Sequence, residues 1–260
     1  MHVDRRSFVR HTVAMLPAFG LLCRFGVCAD QQSAITRPLR VRIWCEGTAP
    51  KSIYPDEIDG TLAVQLSRVP GLSVTKARLS DPHAGLSDLD LDATDVLTWW
   101  GHVRHEEVPD DRAAAIVKRV REGRLGFVAL YASCGSKPFK QMMSTSCEPG
   151  SWREDGRPEF VSVSAPDHPI ARGITPFTIR KTDMFAEPFA VPPPETVVFV
   201  SSWEKGETLR SGLTWTVGNG RVAYLRTGPE DYPVLFHPSI RQAVINSVRW
   251  VAPRMSRKQA

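Results

Sequence analysis

Apolar runs too short to be anything but buried strands alternate with amphipathic helical stretches through the first half of the chain. Residues 39–44 alternate and are rich in β-branched types, and residues 94–100 and 126–131 are apolar almost throughout. Between them, residues 58–69 carry apolar side chains at helical spacing (Leu62, Ala63, Leu66, Val69), and Pro109-Asp110-Asp111 opens a helix over 110–122. Residues 72–77 read as a further strand. Strands apolar on both faces need helices on both faces, so the pattern predicts a doubly wound α/β domain with a mostly parallel, flavodoxin-like sheet. The second half changes character. A short helix over 136–143 precedes an irregular stretch over 148–159. Short antiparallel strands are then expected at 160–164, 177–179, 197–202, 212–216 and 221–225, with turns such as Gly218-Asn219-Gly220. A closing amphipathic helix over 240–251 aligns Val244, Val248 and Val251.

The first 29 residues have a different design. Arg5-Arg6-Ser7-Phe8-Val9-Arg10 precedes a moderately apolar run ending at Leu22, and Val27-Cys28-Ala29 offers a small residue for cleavage. This order matches a twin-arginine signal peptide, and the apolar run is too short to span a bilayer. The expected location is periplasmic or extracellular, without a stable membrane anchor after cleavage. Residues 30–38 read as a disordered leader and 254–260 as a basic tail. Cleavage would remove four arginines and one aspartate, taking the formal charge from +5 to +2. With no remaining Lys/Arg cluster interleaved with aromatics, no nucleic-acid partner is expected. About 230 residues remain, enough for one full core. Three cysteines remain (Cys45, Cys134, Cys147), none in a C-x-x-C spacing, and an odd number leaves at least one thiol free.

In open α/β sheets, ligands bind beyond the carboxyl ends of the strands. Three segments arrive there: Cys45-Glu46, the run Trp99-Trp100-Gly101-His102-Val103-Arg104-His105, and Tyr131-Ala132-Ser133-Cys134-Gly135-Ser136-Lys137. His102 and His105 can present both imidazoles to one point as a metal site or an acid/base pair; the alternatives are solvated loop histidines or caps of the following helix. Cys134 lies on a strand-to-helix turn, where a nucleophile elbow would expose it, or where a small buried thiol fills a tight turn. Glu46, Glu187 and Glu230 lie near strand ends beside aromatic or Pro residues. Desolvation there would raise a carboxyl pKa toward acid/base use, while surface ion pairing is the plainer reading. Asp167-His168-Pro169 reads as a turn. Trp152 and the Trp99-Trp100 pair offer flat faces for sugar stacking or for core packing.

Taken in order, a series of short motifs resembles the ThuA family of trehalose-utilisation proteins, which have a class I glutamine-amidotransferase-like fold. The carriers are Ile53-Tyr54-Pro55, Asp95-Val96-Leu97-Thr98-Trp99-Trp100-Gly101-His102 with His105, Ser136-Lys137 with Phe139-Lys140, and Thr145-Ser146-Cys147. Further matches are Trp152-Arg153-Glu154, His168-Pro169-Ile170-Ala171, Glu187-Pro188-Phe189, Arg210-Ser211-Gly212, and Gly228 with Glu230 and Tyr232-Pro233. A ThuA-like domain over 39–253 follows.

The resemblance implies disaccharide catabolism through 3-keto-glycosides, without an amidotransferase nucleophile or triad. It implies a hydrolase, lyase or isomerase in which a base removes the proton beside a keto group. His102, His105, Glu187 and Glu230 are then the expected catalytic groups. Glu46, Trp100, Lys137, Arg210 and Tyr232 are the expected contacts to a sugar or keto-sugar. A divalent metal such as Zn would be held by His102, His105 and Cys134, and the chain could associate as a homo-oligomer. The family's His-Ser-x-His-x-Ser-Lys run is Tyr131-Ala132-Ser133-Cys134-Gly135-Ser136-Lys137 here, and its Gly-His-Glu run is Gly228-Pro229-Glu230, so three histidines are missing. A sugar-binding or interaction protein on the same fold, without turnover, is the alternative, and a thiol hydrolase using Cys134 a third.

Overall fold

Where the sequence alternates between apolar runs and amphipathic stretches, the chain alternates between strand and helix. The structure is a computed structural model and describes residues 37–254. The signal peptide, most of the leader and all but the first residue of the basic tail lie outside the described residues. The elements are β1 (Leu39–Cys45), α1 (Glu57–Leu66), β2 (Leu72–Arg78), α2 (Asp88–Asp92), β3 (Val96–Trp100), α3 (Asp110–Arg121), β4 (Gly126–Leu130), α4 (Lys137–Met143), β5 (Ser151–Val163), β6 (Phe177–Ala186), β7 (Thr196–Ser202), β8 (Thr208–Val217), β9 (Gly220–Leu225) and α5 (Pro238–Val251). Among the described residues the strands form one nine-stranded sheet in the order β2-β1-β3-β4-β9-β8-β7-β5-β6. Its β2-β1-β3-β4-β9 portion is parallel, and β8, β7, β5 and β6 continue it antiparallel. The α/β fold with a largely parallel sheet and antiparallel additions is therefore as expected.

The parallel portion forms the core. Every residue of β3 and β4 is buried, as strands covered on both faces must be. Trp99 stacks on Trp44 with ring centroids 3.8 Å apart. Amphipathic α3 places Asp110 and Asp111 in its first turn and Lys118, Arg119 and Arg121 in its last, the charge order its dipole favours. No helix among the described residues is long and apolar enough to cross a membrane.

The structure corrects the second half. Residues 148–159 are largely not irregular: from Ser151 they form the first part of β5, paired with β6, which extends to Ala186 rather than ending at residue 179. β8 likewise begins at Thr208, four residues earlier than expected. Gly156 and Pro158 hide the strand in the sequence, because neither favours a regular ladder. Register shifts between Arg153 and Arg157, and between Arg157 and Glu159, accommodate them as bulges. The short α2, capped by the Ser87 hydroxyl on the Asp90 N–H, was also not expected.

Candidate active site

Four parallel strands deliver polar residues to one end of the sheet. Glu46 follows β1, residues 101–105 follow β3, Tyr131–Gly135 follow β4, and residues 226–230 follow β9. Glu46 is 1% exposed. Its carboxylate accepts the N–H groups of Val103 at 3.0 Å and Arg104 at 3.1 Å, folding the loop that carries both histidines. The Gly101 N–H donates to Ser133 Oγ, whose hydroxyl donates to the Trp99 carbonyl, so the loops after β3 and β4 are joined.

His105 fills the space two glycines leave open. A Cβ on Gly101 would lie 3.1 Å from the ring, and one on Gly135 only 2.8 Å from Nε2. Its Nδ1 lies 3.4 Å from Glu46 Oε1. Burial lowers the His105 pKa, outweighing the Glu46 carboxylate. His105 is thus a neutral, boxed-in ring that shapes the loop. His102, three residues earlier, is half-buried and points elsewhere. Its Nδ1 lies 3.0 Å from Glu230 Oε1, which also accepts the Thr48 hydroxyl at 3.3 Å. The bond to Glu230 raises the His102 pKa against the opposing effect of burial. Glu230 Oε2 is buried and has no partner among the described residues.

Tyr131, not Cys134, occupies the elbow after β4. It alone of that turn has positive φ, +56°, a conformation uncommon for a bulky residue and more frequent at functional sites. Its ring lies between Trp100 and Phe185, and the His102 ring meets it edge-on at 5.3 Å. Its hydroxyl donates to Asp183 Oδ2 at 2.8 Å. Burial foremost, with Asp183 second, pushes the phenol pKa far up, so Tyr131 stays protonated. Asp183 is held in turn by Arg226, whose fully buried guanidinium also pairs with Glu159. Asp183 and Arg226 were not singled out from sequence. Arg226 is the first residue beyond a parallel strand, a position that could have marked it.

Several expected site residues have other partners. The Cys134 thiol is buried, donates to the Ala132 carbonyl at 3.6 Å and has its pKa pushed up to about 12 by burial. It is a buried thiol, not an exposed nucleophile. Lys137 Nζ donates to the Glu106 carbonyl, the Val108 carbonyl and Asp110, clamping the loop before α3. Arg210 and Glu187 form a two-point pair, and Glu187 also accepts the N–H groups of Arg210 and Phe189. Burial alone would raise the Glu187 pKa, but these bonds hold it below the ordinary value, which suits a structural anion better than a base. Trp100 is 1% exposed and packs beneath the site. Tyr232 donates to Glu154 at 2.6 Å on the rim.

Among the described residues, no three His, Cys, Asp or Glu side chains converge as a metal-holding group. His102 and His105 face different carboxylates and Cys134 faces backbone, so His102, His105 and Cys134 as placed do not fit a tetrahedral Zn site. What the arrangement offers is a carboxylate-supported imidazole over an aromatic floor.

A family model described as ThuA, trehalose utilisation, matches residues 51–251. The fold is similar to that of a ThuA-like protein from Bacteroides uniformis (TM-score 0.60, 15% identity, covering 83% of this chain and 92% of that one). A ThuA-like protein from Parabacteroides merdae is similar at TM-score 0.62 and 14% identity, covering 83% and 90%. No curated protein matches the chain significantly.

Proposed function

The chain belongs to the ThuA family, and from that premise we propose that it carries out proton-transfer chemistry on a sugar or keto-sugar outside the cytoplasm, with His102 as the acid/base group and Glu230 as its support. The observation that carries this reading is the 3.0 Å contact between His102 Nδ1 and Glu230. The carboxylate selects the Nδ1–H tautomer and raises the basicity of the ring, leaving Nε2 as the proton acceptor. On a 3-keto-glycoside, Nε2 takes the acidic proton from C2. The C2–H electrons form the C1–C2 double bond while the C1–O bond breaks, and the imidazolium returns the proton to the departing oxygen. No metal takes part in this reading. The twin-arginine segment supports export, which a fractionation comparing Arg5→Lys/Arg6→Lys with the unaltered chain would test.

Proton abstraction is measured by NMR of a 3-keto-glucoside in D2O. The wild-type protein should exchange the C2 proton or convert the sugar, and His102→Gln should lower the rate by about 10²–10⁴. An inert wild type at high loading, or a fully active His102→Gln, would refute the proposal. Sugar binding without turnover is the second reading, favoured by Tyr131 at the elbow with its hydroxyl committed to Asp183. It predicts saturable binding with no exchange.

A further inference from the structure

Trp152 is the large apolar side chain most exposed on the rim formed by β5, at 57%, yet its orientation is set. The indole N–H donates to Asp183 Oδ2 at 3.1 Å, the same oxygen that takes the Tyr131 hydroxyl. Arg226 holds Asp183 from the other side through its carboxylate and its carbonyl. In the β5–β6 pair Trp152 stands opposite Phe185, whose ring stacks on Tyr131 at 5.4 Å, and Tyr131 in turn meets His102. Two residues on, Glu154 accepts the Tyr232 hydroxyl and so ties the rim to the loop that carries Glu230. One end of the indole is thus bonded into the support of the His102 site, while much of its surface faces solvent.

An exposed indole free to rotate would lose entropy on ordering against a ligand, whereas one already held by a buried carboxylate loses little. A flat aromatic face with its polar edge already satisfied suits the C–H face of a pyranose with equatorial hydroxyls. We infer that Trp152 is the platform on which a pyranose ring of the substrate stacks, setting specificity beside the acid/base group. The inference rests on the sugar chemistry proposed above and adds the residue that selects the ring.

The test compares wild type, Trp152→Ala and Trp152→Phe with a 3-keto-glucoside under turnover, and with the same sugar by calorimetry in a His102→Gln background. Trp152→Ala should raise KM and Kd about three- to tenfold, more than it lowers kcat, and Trp152→Phe, which keeps a flat face but loses the N–H anchor, should fall between. A wild type that turns the sugar over, with KM unaltered in both variants, overturns the platform and leaves the proposed function standing. A fall in kcat as large as the rise in KM, of the same size in the two variants and with a lowered Tm, would make Trp152 structural and also overturn it. A wild type that neither binds nor converts the sugar overturns both.

Discussion

Replacing Arg226 with Met should be among the most damaging single changes available in this domain. The guanidinium and both carboxylates it joins, Glu159 and Asp183, are fully buried. Arg226 also donates to the Asp183 carbonyl at 2.6 Å and the Thr182 hydroxyl at 3.2 Å, and Ser201 donates to Glu159. Met fills much of the volume but leaves two carboxylates in the interior without a cation. Removing one partner of a buried ion pair costs about 3–5 kcal/mol, which for a domain of this size lowers Tm by roughly 10 °C. Burial already raises the Glu159 pKa despite the opposing pull of Arg226. A carboxyl that binds its proton more tightly when folded adds stability below the ordinary glutamate value, near 4.3, and loses it as pH rises through the folded value. The deficit of Arg226→Met should therefore be smallest in acid and grow toward neutrality. Denaturant melts of wild type, Arg226→Met and Arg226→Met/Glu159→Gln/Asp183→Asn from acid to neutral pH measure this. If orphaned charge is the cause, the triple variant is more stable than the single one at neutral pH. A single variant within about 0.5 kcal/mol of wild type, or a triple variant no better than the single, would refute the reasoning.

Three further outcomes are expected. As a base His102 must be neutral, so kcat/KM should rise with pH through its raised pKa. Glu230→Gln should move that acid limb to lower pH and cut the rate about tenfold as a charged hydrogen bond becomes a neutral one; an unmoved limb in the pH–rate profile would count against the pairing. The stability His102 gains from Glu230 runs the other way, being present below the ordinary imidazole value near 6.5 and lost as pH rises through the folded pKa. Gly135→Ala, whose Cβ would lie 2.8 Å from His105 Nε2, should cost about 1–3 kcal/mol in wild type and much less in a His105→Ala background, as read by a double-mutant cycle. Native protein should resist iodoacetamide at Cys134 at neutral pH, because burial pushes that thiol up to about 12, and mass spectrometry showing rapid labelling would contradict this.

Local pattern determined much of the fold. The largely apolar 96–100 and 126–130 runs read as strands covered on both faces, and the helical spacing between them required crossovers, so the parallel sheet and its functional end were legible in the sequence. The Trp-Trp-Gly-His-x-x-His run after β3 was legible for the same reason. Tertiary structure alone decided what those side chains do. His102 meets Glu230 across 128 positions of sequence, whereas His105, only three residues from His102, turns to Glu46 and becomes neutral packing. Lys137 clamps a loop, Glu187 is bound by Arg210, Cys134 sinks into the interior and Tyr131 takes the elbow. Periodicity reports which face of an element is buried, because burial recurs at the spacing of the backbone. A side chain's role depends on which partner lies within about 3 Å of one atom, and that is set by where the ends of distant strands converge.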